Sequence, residues 1–377
     1  MAVKVLPQRF KTRAPNAREM VCSLCIVVGG SACSKAPTPY EWNLPNHIPA
    51  PTVPADNPMT VESVKLGEML FFDTALSANN TTSCSSCHDP EKAFAESRKV
   101  SVGAHGEELN RNALALINVA YNASFTWAHN NLDSIEKQLL IPLFNEHPVE
   151  MGVTGNEDVI LMRFEQGDYP ALFKAAYGDE TPSVNNIVKA LASYVRSLVS
   201  FNSAFDAYAY RQDDSALTAQ QLEGLNLFFS ERTECFHCHG GVNFTQSSKH
   251  SFQPFGAQPF HNTGLYNEDG AGSYPKTDMG LYSVTFNKQD MGKFRAPTLR
   301  NIALTAPYMH DGSIATLEDV IAFYARGGNE AQSPNPYRSP FIKGFSISEK
   351  EKAALVAFLQ SLTDEEFVEK HVSRKNK

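Results

Sequence analysis

"SCSSCHDP", residues 83–90, sets two cysteines and a histidine within five positions. Cys84 and Cys87 stand three apart, so one helical turn puts both thiols on the same face, with His88 directly after them. Three chemistries fit that shape: a thiol/disulfide couple, half of a tetrahedral zinc site, and the covalent anchor of a c-type haem. The other cysteines decide between them. There are seven in all, and outside the first 33 residues only Cys84, Cys87, Cys235 and Cys238 occur. All four lie in CxxCH, the second copy being "CFHCH" at 235–239. Zinc would draw both pairs into one site and needs no histidine after each, whereas thioether attachment uses both sulfurs and iron takes the next residue as its proximal ligand. The pattern predicts two covalently bound haems c, with His88 and His239 on the two irons.

The remaining cysteines, Cys22, Cys25 and Cys33, fall in a stretch that reads as an export signal, 1–33. Lys4, Arg9, Lys11, Arg13 and Arg18 precede the apolar run "MVCSLCIVVGG", and Ser31 and Ala32 are small, as cleavage requires. The run is too short to span a bilayer. Cys33 is a candidate lipidated N-terminus that would tether the protein to a membrane, although Gly30 departs from the aliphatic residue of a lipobox. Residues 34–58 are rich in proline and read as a tether. Haem attachment and the leader agree on a periplasmic protein. The net charge of −8 becomes more negative without the leader, which argues against nucleic acid and favours a partner with a basic face.

Beyond the tether the chain repeats itself about 150 residues apart. "KLGEMLFFDTALS" runs into the first CxxCH and "LEGLNLFFSERTE" into the second, each an amphipathic helix ending in Leu-Phe-Phe. Each half closes on a similar helix, "KALASYVRSL" from Lys189 and "AALVAFLQSL" from Ala353. Capping boxes are expected at Thr218 with Gln221 and at Ser348 with Glu351. A hydrophobic content of 42% suffices for two cores. The expected fold is mainly α, two tandem cytochrome c-like domains at 59–210 and 211–365 with long connecting loops such as 256–292, and a polar tail at 366–377.

"KFRAPTLRNIALTAPYMHDGSIATLEDVIAFY" (293–324), "SIEKQLLIPLFNEHPVEMG" (134–152) and the two CxxCH segments resemble the bacterial di-haem cytochrome c peroxidase and MauG superfamily, over roughly residues 42–365. "FTWAHNN" and "PLFNEHPVEMG" are most similar to its MauG-like branch, typified by MbnH, which serves copper-acquisition systems and uses peroxide to oxidise tryptophan on a partner protein. The resemblance implies hydrogen peroxide as oxidant and a protein substrate, of which a copper-binding protein with an oxidisable tryptophan is one form.

The same resemblance implies the site residues. Tyr324 would be the second axial ligand at the His239 haem, where peroxidases place Met; by spacing alone Leu317, Val320, Ile321 and Tyr324 are also a core stripe, and Met309 is a further candidate. The His88 haem would face Gln138, Pro142 and Glu150. A carboxylate there takes a proton from one peroxide oxygen and returns it to the other, so that water leaves as the O–O bond breaks. Glu146 stands as the alternative acid, because the stretch from Pro142 to Glu150 is longer than the family pattern. Met151 is a rival reading: a thioether ligand there would block peroxide and leave a di-haem electron carrier. His105 matches loosely a loop that closes this haem in peroxidases, while His129 and His147 read as surface residues. Of the two tryptophans, Trp42 lies in the tether and Trp127 is the expected relay between the haems. Asn112 with the backbone oxygens of Thr305 and Pro307 would bind calcium, and Arg295 and Arg300 would pair with haem propionates. Two functions follow beside protein oxidation: a peroxidase fed by a small redox protein, and the electron carrier.

Overall fold

Most of the described helices begin where a side chain accepts a free N–H group of the first turn. The computed structural model describes residues 36–329 and 335–375; the expected export signal and Cys33 lie outside them. In the first half Thr60 caps α1 (Val61–Phe72) and Ser134 caps α2 (Ile135–Phe144). There follow α3 (Glu157–Arg163), α4 (Tyr169–Tyr177) and α5 (Val184–Ser197), the last capped by Ser183. In the second half Ser203 caps α6 (Ala204–Arg211), and Thr218, in its capping box with Gln221, starts α7 (Ala219–Phe228). A single turn, α8 (Tyr282–Thr285), precedes α9 (Leu317–Ala325) and α10 (Glu349–Gln360), which Ser348 and Glu351 cap reciprocally. The described chain ends in α11 (Glu365–Lys375). The protein is mostly helical, and the stretch 256–292 is less loop-like than expected: β1 (Phe260–Asn262) pairs antiparallel with β2 (Lys293–Arg295), Phe260 opposite Arg295.

The repeat seen in sequence is a repeated helix crossing. A β-carbon on Gly67 would stand 1.9 Å from the Ala190 carbonyl oxygen and 2.8 Å from Tyr194 Cβ; on Gly224 it would stand 1.9 Å from the Ala354 oxygen and 2.7 Å from Phe358 Cβ. Only glycine lets α1 lie that close on α5, and α7 on α10. One core then gathers Leu66, Leu70, Phe71, Leu191 and Tyr194, and another gathers Phe228, Phe244, Leu355 and Phe358. Burying each such side chain is worth about 1.5–3 kcal/mol. A third cluster, with Trp127, Tyr274, Phe294 and Phe323, takes residues from both halves.

Three stretches differ from expectation. Phe205 of α6 packs on Phe244 and Phe358, so material of the second core begins before residue 211. The proline-rich stretch is laid against the body from its first described residues: Tyr40 N–H donates to the Met59 carbonyl, Ile48 is buried, and the Tyr121 hydroxyl donates to the Pro49 carbonyl. Residues 366–375 are helical, with Phe367 and His371 buried against Phe94. Their apolar stripe is too short and too diluted by charge to register as a helix face in sequence.

Candidate active site

Each CxxCH folds as a short 3-10 turn that delivers its side chains to one cavity. Cys84, Cys87 and His88 line the first, and Cys235, Cys238 and His239 the second. No disulfide joins these four cysteines, and burial pushes the Cys84 and Cys238 thiols up to about 12. The two pairs face different cavities, a geometry of two sites and not of one shared tetrahedral zinc centre. His88 Nδ1 stands 2.9 Å from the Phe94 carbonyl oxygen, and His239 Nδ1 3.1 Å from that of Pro297. A carbonyl only accepts, so Nδ1 carries the proton in both rings and Nε2 keeps its lone pair for a metal. Burial lowers both pKa values, that of His239 to about 4, and keeps the imidazoles neutral. Two thiols, a neutral imidazole with a fixed tautomer and an apolar wall fit a covalently held haem at each cavity.

The wall of the His88 cavity includes α2, which presents Gln138 and Pro142 one turn apart, and the chain that folds back after it. Met151 N–H donates to the Pro142 carbonyl and Val153 N–H to that of Leu143, both at 2.9 Å. The Glu150 carbonyl accepts from Ala104 N–H at 2.7 Å, and Gly103 lies so close that a β-carbon would be 1.8 Å from the Val149 oxygen. The backbone is thus held from two sides and the Glu150 side chain lines the cavity, where burial raises its pKa to about 7. Gln138 Oε1, on the same wall, is buried without a hydrogen-bond donor. Glu146 is exposed and off this wall, which separates it from Glu150. Met151 is on the wall but also packed in the first core. His105 is exposed and off the wall, His129 is half-buried, and His147 is an exposed residue at the cavity rim.

The second cavity has α9 along one side. Leu317, Val320, Ile321 and Tyr324 all line it, so the helical stripe is a cavity wall, with Met309 nearby on that wall. Burial, then the nearby Cys238 and Cys235, raises the Tyr324 pKa. Among the described residues Trp127 is the one aromatic residue that lines both cavities, and its Nε1 donates to the Asn112 carbonyl at 2.8 Å. Trp42 sits edge-on to Tyr40, away from both walls.

The two arginines part company. Arg295 lines both cavities and is buried, with Nε donating to the Thr126 carbonyl; burial alone depresses its pKa to about 10, and no carboxylate partner is described for it. Arg300 also lines the second cavity, but it is held in a bidentate pair with Asp206 at 2.8 and 2.9 Å and lies over the Phe201 ring, so its charge is already matched within the protein. Asn112, Thr305 and Pro307 all line the second cavity. Asn112 Nδ2 donates to the Arg98 carbonyl, and among the described residues no hydrogen bond ends on Asn112 Oδ1 or the Thr305 and Pro307 carbonyls, an oxygen set suited to a hard cation. Sequence reasoning missed the carbonyls of Phe94 and Pro297 that orient the histidines, because backbone acceptors carry no sequence signal. Gly103, two residues before His105, carries no sign of its role in sequence, because only the approach of Val149 reveals it.

A model of the di-haem cytochrome c peroxidase family matches residues 61–215. The chain is 33% identical over 369 residues to cytochrome-c peroxidase IdrP1 of Denitromonas iodatirespirans, covering 92% of this chain and 94% of that protein. It is 34% identical over 328 residues to the methylamine utilization protein MauG of Methylorubrum extorquens, with 86% and 84% covered. Among solved structures it is similar to a MauG-like protein associated with microbial copper homeostasis, at 44% identity and a TM-score of 0.84 over 87% of this chain and 97% of that one. The diheme peroxidase BthA of Burkholderia thailandensis, at 24% identity and a TM-score of 0.64 over 83% and 88%, shares the fold. With two histidine-and-cysteine cavities and these relatives along nearly its whole described length, the chain belongs to the di-haem cytochrome c peroxidase and MauG family of oxidoreductases.

Proposed function

We propose that this protein is an exported, periplasmic enzyme that uses hydrogen peroxide to oxidise a partner protein at tryptophan, the partner being a copper-binding protein. The observation that carries the reading is Tyr324 on the wall of the Cys235/Cys238 cavity. Similarity to the MauG-like protein associated with copper homeostasis supports the choice of partner. In this reading Cys84, Cys87 and His88 hold one haem, Cys235, Cys238, His239 and Tyr324 the other, and Arg295 neutralises propionates. When bound, the haems supply the reduction of peroxide and storage of the oxidising equivalents. Glu150, with its pKa near neutrality, takes the proton from one peroxide oxygen and delivers it to the other. Gln138 and Pro142 restrict the space above His88, Gln138 as a hydrogen-bond acceptor. Trp127 bridges the cavities, and calcium at Asn112, Thr305 and Pro307 would brace the same wall.

A second reading, a peroxidase fed by a small redox protein, is favoured by Met309 on the second cavity's wall and by relatives named as cytochrome-c peroxidases. One experiment separates them. A phenolate is a hard anionic donor that favours ferric iron, whereas a thioether favours ferrous iron. With Tyr324 as ligand the fully oxidised protein reacts with peroxide without prior reduction, as stopped-flow spectra would show; a requirement for reduction first supports the peroxidase. Absence of any high-spin ferric signal in EPR would sink both and leave an electron carrier.

A further inference from the structure

We propose that Tyr266 is a redox-active tyrosine that carries an oxidising equivalent from the second cavity toward the protein surface, with Asp311 as the acceptor of its phenolic proton. The inference rests on the peroxide-driven reading above. Tyr324, on the cavity wall, packs against the cluster that contains Trp127, Tyr274 and Phe294, and Tyr266 lies at its outer side. The Tyr266 and Tyr274 rings meet edge to face with centroids 5.5 Å apart. Rings in contact exchange electrons readily; what selects the residue that holds the equivalent is the fate of the proton, because an oxidised phenol is a strong acid and must lose it.

The tyrosines differ in that respect. Tyr274 is buried and its hydroxyl donates to Asn262 Oδ1, an amide that cannot take a proton, while also accepting from Leu265 N–H. Tyr266 is half-buried, and its hydroxyl donates to Asp311 Oδ2 at 2.5 Å, the length of a hydrogen bond to a carboxylate. The other Asp311 oxygen is held by Ser313 N–H, so the carboxylate stays aimed at the phenol. Hydrogen peroxide takes two electrons and two protons to become two waters. One of those electrons comes from Tyr266 while its proton moves to Asp311. An electron from an aromatic side chain of the docked partner then refills the ring as Asp311 returns the proton; a second passage draws the second electron, and the two protons that the twice-oxidised side chain releases balance the two taken up by peroxide. Tyr169 provides the comparison: it donates to Asp73 Oδ2 at 2.6 Å, but among the described residues its one aromatic contact is Phe164, and it lines neither cavity.

The test uses the haem-loaded protein with ring-deuterated tyrosine, mixed with hydrogen peroxide without a donor and frozen for EPR. A tyrosyl radical narrowed by the label is expected in the wild type, falling to background in Tyr266→Phe and persisting in Tyr169→Phe. Asp311→Asn, which keeps the ring, should lower the radical yield about tenfold by removing the proton acceptor. A wild-type protein that consumes peroxide but forms no tyrosyl radical, or a radical unchanged in both Tyr266→Phe and Asp311→Asn, overturns the inference and leaves the proposed function standing. A wild-type protein that consumes no peroxide overturns both.

Discussion

Glu150 shows how one side chain acquires its chemistry from its setting. An exposed carboxyl is ionised throughout the neutral range, but burial holds this one near 7. The proton-accepting form is therefore lost as pH falls below 7 and gained as pH rises through it. Peroxide consumption should rise about tenfold per pH unit below this value and level off above it, and Glu150→Gln should remove that limb while slowing the step by about a hundredfold or more. A stopped-flow pH series on both proteins checks this; a wild-type rate in the variant would mean that another group moves the proton. At the second cavity, axial ligand identity can shift haem potentials over about 0.8 V. Tyr324→Met should accordingly make the second haem easier to reduce in a spectroelectrochemical titration and abolish oxidation of the partner. An unchanged potential and low-spin EPR signal in Tyr324→Phe would return Tyr324 to the apolar stripe of its neighbours Leu317, Val320 and Ile321.

At the scale of elements, the paired crossings of α1 on α5 and α7 on α10 set where the cysteine turns emerge. Both rest on a missing β-carbon, since a methyl at Gly67 or Gly224 would lie 1.9 Å from a helix carbonyl. Gly67→Ala and Gly224→Ala should each destabilise the protein by about 1–3 kcal/mol, the cost of forcing packed elements apart. Urea unfolding of the haem-loaded forms measures it. Equal midpoints in variant and wild type would mean that the helices part at these crossings without cost. Gly103 plays the corresponding part beneath Glu150, where the crowding atom is the Val149 carbonyl.

For the molecule as a whole, the central feature is a wall common to two cavities. Trp127 and Arg295 both line it, and Arg295 N–H donates to the Trp127 carbonyl at 2.7 Å, so the relay candidate and the buried cation are tied to each other. Among the described residues no carboxylate pairs with this buried guanidinium, a costly arrangement that a bound anion would relieve. The proposed periplasmic location makes covalent haem attachment depend on export. A chain lacking residues 1–33 and made in the cytoplasm should carry no covalent haem in a pyridine haemochrome assay, and finding two would overturn the periplasmic assignment.

What the sequence determined by itself was the covalent chemistry and the periodic elements. Cys84, Cys87 and His88, like Cys235, Cys238 and His239, are neighbours along the chain, so their spacing already encodes a joint site; Thr218 with Gln221 and Ser348 with Glu351 mark helix starts for the same local reason. The resemblance to a family added Tyr324, Glu150 and Trp127, which spacing alone left as a core stripe, a loop acid and a buried indole. Tertiary structure decided what depends on groups distant in the chain. It put Glu150 on a cavity wall and left Glu146 outside, gave Arg300 a carboxylate partner 94 residues away in Asp206, and left Arg295 without one among the described residues. It also docked the proline-rich stretch and α11, whose few apolar residues mean nothing until the surfaces that receive them exist. Desolvation and charge pairing are sums over all neighbours in space, and a one-dimensional pattern reports only the neighbours in sequence.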